Sequence, residues 1–331
     1  QHYIYTNDRD FLEKKAFPLL EGCAEFCCDW LVKNANGIYI TVPSTSPENG
    51  FYDVQGRRKN LCCSSAMDIT LIREMLTVYL SACDILDRQG SWYFDAQEKL
   101  AKLDDIRLTF DGRIAEWHED YSEVDSGHRH LSHLYGVYPG NSFYGEKRLW
   151  SAAEKSLRKR AEDGSGTVGW SAAWIAALFA QFQDVRQAIK FLDILIGYSA
   201  PNLFDVYNDS KAPFVAADTY VVRGDTPEIG WFQIDGNFGG TAAIVEFLLQ
   251  TADRQIILLP CLPTQWKSGR VTGLCAPGDV QFSIAWEKDG SVRVRMLTGK
   301  QFDPELPLVI RCRDIEIVSC YQRASEYTFV L

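Results

Sequence analysis

Up to about residue 252 the apolar positions fall at helical intervals, and beyond about 258 they alternate with polar ones. The clearest helical stretch is 65–86, where Met67, Leu71, Met75, Tyr79 and Cys83 are spaced by four. Ile72, Leu76 and Leu80 widen that stripe into a full buried face. Ser65, followed three residues later by Asp68, predicts a capping box at its start. Similar spacing predicts helices over 8–33, 147–161, 171–183, 185–196 and 241–251. Three long loops, 41–60, 111–145 and 200–240, are rich in Gly, Pro, Asn and Asp but also in Trp, His and Tyr. Loops of such length are functional or disordered, and their aromatic content argues against disorder. Past residue 258, the stretches 278–287 (GDVQFSIAWE), 291–297 (SVRVRML), 306–311 and 327–331 read as strands, with a hairpin turn at Lys288-Asp289-Gly290. The expected organisation is a mostly α body over 1–254, then a small antiparallel β domain, sandwich-like, over 255–331.

Composition narrows the classes of function. The 331 residues suffice to bury a sizeable core, and 46% apolar with 24% charged residues is a globular balance. The net charge is −10 and no basic block is longer than Arg57-Arg58-Lys59, which argues against a nucleic-acid partner. The longest apolar run, near 174–180, is too short to span a bilayer, so no membrane partner is expected. Aromatic residues reach 13%, a hint of carbohydrate chemistry, since sugar faces stack on rings. Ten cysteines include adjacent pairs at Cys27-Cys28 and Cys62-Cys63 and no CxxC spacing, so free and mostly buried thiols are expected. Cys23, Cys27 and Cys83 are expected to point inward, and the free thiols lean toward a reducing compartment. The chain opens QHYIYTNDRD, without a Met or a signal-like segment, and enters a helical pattern at once. It reads as a portion of a longer protein, whose missing N-terminus could carry an export signal.

Three constellations could carry chemistry. In Pro43-Ser44-Thr45-Ser46-Pro47-Glu48-Asn49-Gly50 two prolines hold the backbone extended. Glu48 is a candidate general acid if burial keeps it protonated, or else a turn glutamate that caps the next segment. The second constellation, Glu116-Trp117-His118-Glu119-Asp120-Tyr121 leading to His128-Arg129-His130-Leu131-Ser132-His133, holds four of the five histidines. His130 and His133 have a spacing that suits a metal pair, but HxxH lacks a catalytic Glu and a third ligand pattern. A polar cluster that binds hydroxyls, with Arg129 and the imidazoles as donors, fits better, and no metal is expected. The third, 230–240 (GWFQIDGNFGG), places Asp235 between aromatics in a Gly-rich turn expected to lead into a helix at Thr241. That carboxylate is either catalytic or orienting, or an Asx-turn that holds the loop. No GK[ST] follows, so a phosphate-binding loop is disfavoured.

These stretches resemble the glycoside hydrolase family 95 enzymes, the α-1,2-L-fucosidases and their α-L-galactosidase relatives. The matching blocks, in the family's order, are PSTSPEN at 43–49, EWHEDY at 116–121, HRHLSHLYGVYPG at 128–140, GWSAAW at 169–174, NLFD at 202–205, FQIDGNFGGTAAIVE at 232–246 and LLPCLPTQWKSGRVTGL at 258–274. The resemblance implies an (α/α)6 barrel, incomplete here, followed by the C-terminal β domain. It implies an inverting hydrolase of α-L-fucosyl linkages, with fucosylated oligosaccharides or glycoconjugates as partners and no cofactor. Glu48 then looks like the general acid, and Asp235 like the residue that activates a water-binding Asn supplied from upstream of Gln1. Arg129 and His130 resemble residues that bind the sugar hydroxyls, with His128, His133 and Trp231 as further pocket residues. Glu116, in a similarly acidic and aromatic motif, competes with Glu48 for the acid role and otherwise joins the sugar-binding set. An α-L-galactosidase of the same fold and a catalytically inert glycan-binding fragment are the alternatives. Ala115, the stretch 218–227 and the 273–277 turn depart from the family pattern, which bears on aglycone specificity more than on chemistry.

Overall fold

The computed structural model describes residues 1–199, 220–223, 226–229, 233–252 and 255–331, with backbone alone at 198, 220–223 and 226–229. The chain divides into two compact units, Arg9–Ser165 and the combination of Gln1–Asp8 with Gly166–Leu331. Trp231 and the NLFD block lie outside the described residues. Helices followed by a C-terminal sheet region match the expected order of elements. Among the described residues no helix is long and apolar enough to cross a membrane.

The Arg9–Ser165 unit opens with the helix predicted over 8–33. It runs as Arg9–Phe11, a π-helical stretch Leu12–Ala16, and α1 (Phe17–Trp30). Pro18 accounts for the widened turn, because its ring clashes with the carbonyl four residues back in a regular helix. The buried side of α1 is Phe17, Ala24, Cys27 and Cys28. Cys23 is exposed, correcting the expectation, since one residue before Ala24 is about 100° around the helix. α2 (Ala66–Leu86) packs on α1, and the fully buried rings of Phe17 and Tyr79 meet at 5.9 Å between centroids. Ser65 caps α2 as predicted, its hydroxyl accepting from the Asp68 N–H at 3.2 Å. The reciprocal half of the box is taken over by the long loop. The Ser44 hydroxyl donates to Asp68 at 2.6 Å and accepts the Ser65 N–H at 2.9 Å. α3 (Tyr93–Ala101) was not predicted, for it is short and buries only Ala96. α4 (Lys147–Glu162) closes the unit.

In the other unit α5 (Gly169–Gln181) packs against both α6 (Val185–Tyr198) and α7 (Ile234–Leu248). α7 starts seven residues before the predicted Thr241 and ends at Leu248. Asp235 therefore stands in the first turn of a helix, not in a turn before one. Glycines at 236, 239 and 240 cost helix propensity, on the order of 1 kcal/mol each, yet close packing requires two of them. A Cβ on Gly240 would come within 2.5 Å of Leu195, and one on Gly239 within 3.0 Å of Ala173.

Among the described residues eight strands follow: β1 (Leu249–Ala252), β2 (Gln255–Leu258), β3 (Gly269–Ala276), β4 (Val280–Trp286), β5 (Val292–Thr298), β6 (Leu308–Cys312), β7 (Ile315–Ser319) and β8 (Glu326–Val330). One sheet has the order β3-β4-β5-β8 and is antiparallel throughout; the other has the order β7-β6-β2-β1. There β6 pairs with β2 in parallel, Val309 opposite Gln255, so the domain is not purely antiparallel as expected. Alternation reads true in β4, where Val280, Phe282, Ile284 and Trp286 are buried. The expected hairpin turn joins β4 to β5, with Gly290 in the left-handed region.

Candidate active site

The 43–50 loop is pinned at its start, middle and end, by polar side chains and by its backbone. At its start Ser44 exchanges backbone hydrogen bonds with Cys62 besides holding the α2 cap. In its middle the Ser46 hydroxyl donates to Glu116 Oε1 at 2.6 Å, and Asn49 Nδ2 reaches Glu116 Oε2 at 3.3 Å. At its end Gly50 accepts the Val124 N–H, and Phe51–Tyr52 pairs with both Arg58–Lys59 and Ser122–Glu123. Phe51, buried, stacks on Tyr121 at 4.3 Å and leans on buried Trp117 at 5.1 Å. The aromatics of EWHEDY thus serve first as the floor of this loop.

Between the Ser46 and Asn49 anchors stands Glu48, with a backbone φ of 57°. A non-glycine residue in the left-handed region is strained, by roughly 1–2 kcal/mol, and is kept there because both flanks are held. The side chain is 60% exposed. Its carboxylate takes a hydrogen bond from Arg129 Nη2, and His130 Nε2 lies 3.6 Å away. His130 stacks on His128 with 5.2 Å between ring centroids, and its backbone N–H donates to His128 Nδ1 at 3.1 Å. Arg129 Nη1 lies 3.3 Å from His128 Nε2, so both ring nitrogens face N–H donors. Burial, aided by the neighbouring His130 and Arg129, pushes His128 down from 6.5 to about 4. Burial and Arg129 depress His130 as well. Both imidazoles are neutral at pH 7, and His130, at the rim, offers either a donor or an acceptor to a hydroxyl.

Glu116 lies on the inner side of the same loop and is 5% exposed. Besides Ser46 and Asn49 it receives Arg160 Nη2 at 2.5 Å. Burial pushes its carboxyl above the ordinary range, while Arg160 and then Ser46 pull it back. Arg160, itself buried, also donates to the Asp125 carbonyl at 2.9 Å and pairs with Glu123 at 2.7 Å. Glu123 is shared with Arg113 at 2.9 Å. His133 is buried with its Nδ1 4.0 Å from Glu116, and burial holds it well below 6.5. The sequence-predicted set therefore splits into Glu48, Arg129 and His130 at an accessible rim, and Glu116, His128 and His133 behind it. Asp235 belongs to the other unit, is exposed at the first turn of α7, and accepts the Gly236 N–H at 3.0 Å. Among the described residues no three His, Cys, Asp or Glu side chains gather as a metal site.

Arg160, Ser46 and Asn49 were missed from sequence. A signal for Arg160 was available. It follows Ala153, Ser156 and Leu157 on the buried side of α4, and an arginine on an apolar stripe must meet a carboxylate inside.

The sequence matches the glycosyl hydrolase family 95 catalytic domain over residues 1–248 and the family's C-terminal domain over 250–314. The chain belongs to glycoside hydrolase family 95. This family 95 chain is 38% identical over 292 residues to alpha-L-fucosidase 2 of Arabidopsis thaliana, covering 86% of the chain and 33% of that relative. It is 28% identical over 329 residues to the probable alpha-fucosidase A of Aspergillus niger, covering 88% of the chain and 36% of that protein. The chain thus spans about a third of the length of these curated relatives. In fold it is similar to a solved structure described as a kojibiose phosphorylase from the human microbiome, with a TM-score of 0.60 at 10% identity, over 100% of this chain and 45% of that one.

Proposed function

We propose that the protein is a glycoside hydrolase that releases L-fucose from α-(1,2)-fucosylated glycans with inversion, and that the chain forms part of an (α/α)6 barrel followed by its β domain. The observation that carries the reading is the contrast between Glu48, in the 43–50 loop, and Glu116, which that loop covers. Glu48 is exposed beside a guanidinium and a neutral imidazole, whereas Glu116 is caged by Arg160, Ser46 and Asn49. In this reading Glu48 protonates the leaving oxygen, which must take the place that Arg129 now occupies at the carboxylate. Arg129, once displaced, and His130 hydrogen-bond the sugar hydroxyls. Glu116, His128 and His133 act from behind by holding the loop and the Arg129–His130 segment. Asp235 orients an Asn that holds the attacking water, that Asn lying outside these residues, and Trp231 lines the pocket. No cofactor is required by this chemistry.

Time-resolved proton NMR of the complete protein with 2′-fucosyllactose tests the proposal. β-L-fucose is expected first, and the Glu48→Gln variant is expected to lose about 10²–10⁴ in turnover while it still binds the sugar. First release of the α anomer would mean a retaining pair. Cleavage of L-galactosides alone would make the enzyme an α-L-galactosidase, and an equal loss on Glu116→Gln with Glu48→Gln active would exchange the two roles.

A further inference from the structure

A cavity of about 390 Å³ opens within the unit that carries the β domain. Its wall is made by the segment between β2 and β3, the turn of the β4–β5 hairpin, and Arg313 between β6 and β7. Small-ligand pockets span roughly 300–1,000 Å³, so the space suits one or two sugar rings.

Two indoles form the apolar part. Trp286 is 6% exposed and fixed, with its Nε1 donating to the Trp266 carbonyl at 2.7 Å. Its ring lies so close over Gly269 that a Cβ there would stand 2.3 Å from Cζ2. Trp266 is supported by Phe247 at 5.9 Å between centroids and keeps part of its surface open to solvent. An indole anchored in this way offers a flat face at little entropic cost.

The polar part is cationic. Lys267, Lys288 and Arg313 line the cavity, and Glu287 is the one carboxylate that lines it. The two lysines are exposed and make no ion pair among the described residues. Arg313, with φ of 54°, is tethered by Nη1 to the Gly290 carbonyl at 2.8 Å, which stations the guanidinium over the hairpin turn. Three cations and one anion line the cavity, in a chain of net charge −10. Like charges gathered on a concave wall repel one another unless an anion comes between them, and the low-dielectric wall focuses their field.

We infer that this cavity is a carbohydrate-binding site of its own, which takes a carboxylated sugar, a uronic acid unit of a glycan chain. The ring of the sugar stacks on Trp266, and its carboxylate is met by Arg313 and Lys288, with Lys267 at the edge. The neutral face and the charged group of a uronate match the two halves of the wall, which neither a plain sugar nor a bare anion does. The assignment stands on these residues and is independent of the Glu48 chemistry.

The test is a titration of the protein with digalacturonic acid, followed by calorimetry, beside the neutral digalactose of the same linkage. The expected result is millimolar or tighter binding of the acidic disaccharide and about tenfold or greater weakness for the neutral one, as loss of charge-assisted hydrogen bonds implies. Lys288→Glu, at an exposed turn, is expected to weaken digalacturonate binding by about tenfold or more with an unchanged melting temperature. Trp266→Ala is expected to weaken it as well. Should that variant unfold, Lys288→Glu still decides. Equal binding of the neutral disaccharide overturns the inference, as does unchanged affinity in a folded Lys267→Glu/Lys288→Glu double variant. Displacement by sodium sulfate as effective as by digalacturonate itself would reduce the cavity to an anion site and overturn it too.

Discussion

Glu48 and Glu116, on two loops that meet, have opposite fates. The first is exposed and pairs with a partly exposed Arg129, a contact worth little to stability because water screens it. The second is sealed with Arg160, so each charge depends on the other. Glu48→Gln should therefore change stability by no more than about 0.5 kcal/mol. Arg160→Met, which strands a buried carboxylate, should cost about 3–5 kcal/mol. Denaturant unfolding of the two variants checks both figures. The histidines supply a second test. His128, held down to about 4, stays neutral in the fold while it would protonate near 6.5 in the unfolded chain. Between those values the unfolded state binds the extra proton, so stability is present above 6.5 and is lost as the pH falls toward 4. Its imidazole resonances in NMR should remain those of the neutral ring down to about pH 5 and titrate near 4.

At the scale of elements, close approach decides what the helix ends and loops tolerate. The segment that carries His128 and Arg129 crosses the end of α4 at Gly127, where a Cβ would lie 2.1 Å from the Asp163 carbonyl oxygen. Backbone cannot yield as a side-chain tip can, so Gly127→Ala should lower the melting temperature and cost about 1–3 kcal/mol. Thermal unfolding measures it, and a loss below a few tenths would mean that the loop moves freely. In the other unit Glu246 on α7 is pushed by burial from 4.5 to about 7, against a 2.6 Å hydrogen bond from Gln181 on α5 that lowers it. Tyr5 nearby is raised chiefly by burial, and the Glu246 carboxylate adds to that. A raised carboxyl binds its proton more tightly folded than unfolded, so its contribution is complete below about 4.5 and is lost as the pH rises through about 7. Glu246→Gln, which keeps an acceptor for Gln181, should raise the melting temperature at pH 8 relative to the parent and give no such gain at pH 4. This window runs opposite in sign to that of His128.

For the whole molecule, the two carboxylates proposed to act on one glycosidic bond belong to different compact units, Glu48 to one and Asp235 to the other. If they form one catalytic set, their effects are not additive. Asp235→Ala in the complete protein should lose about 10²–10⁴ in turnover, and the Glu48→Gln/Asp235→Ala double variant should be only several-fold worse than the poorer single one. Multiplying losses in the fucose-release assay would show two independent roles. Much of this molecule was legible along the chain. The helical period of α2, the Ser65 cap, the alternation of β4 and β5, and the ordered motif blocks are set by backbone geometry and near neighbours, which a sequence displays directly. The buried face of α2 is rotated from the predicted stripe: Ile69, Ile72, Leu76, Tyr79 and Cys83 are buried, whereas Leu71 is exposed and Met67 and Met75 are half-buried. The early start of α7 was not legible, because its glycines weaken a helix locally and only Leu195 and Ala173 require them. The parallel β2–β6 pair was not, because the partners are far apart in the chain. Nor could the motifs tell Glu48 from Glu116. Accessibility and ion pairing depend on Ser46 and Asn49 from one stretch and Arg160 from another converging on Glu116, and only the packed tertiary structure brings them to that carboxylate.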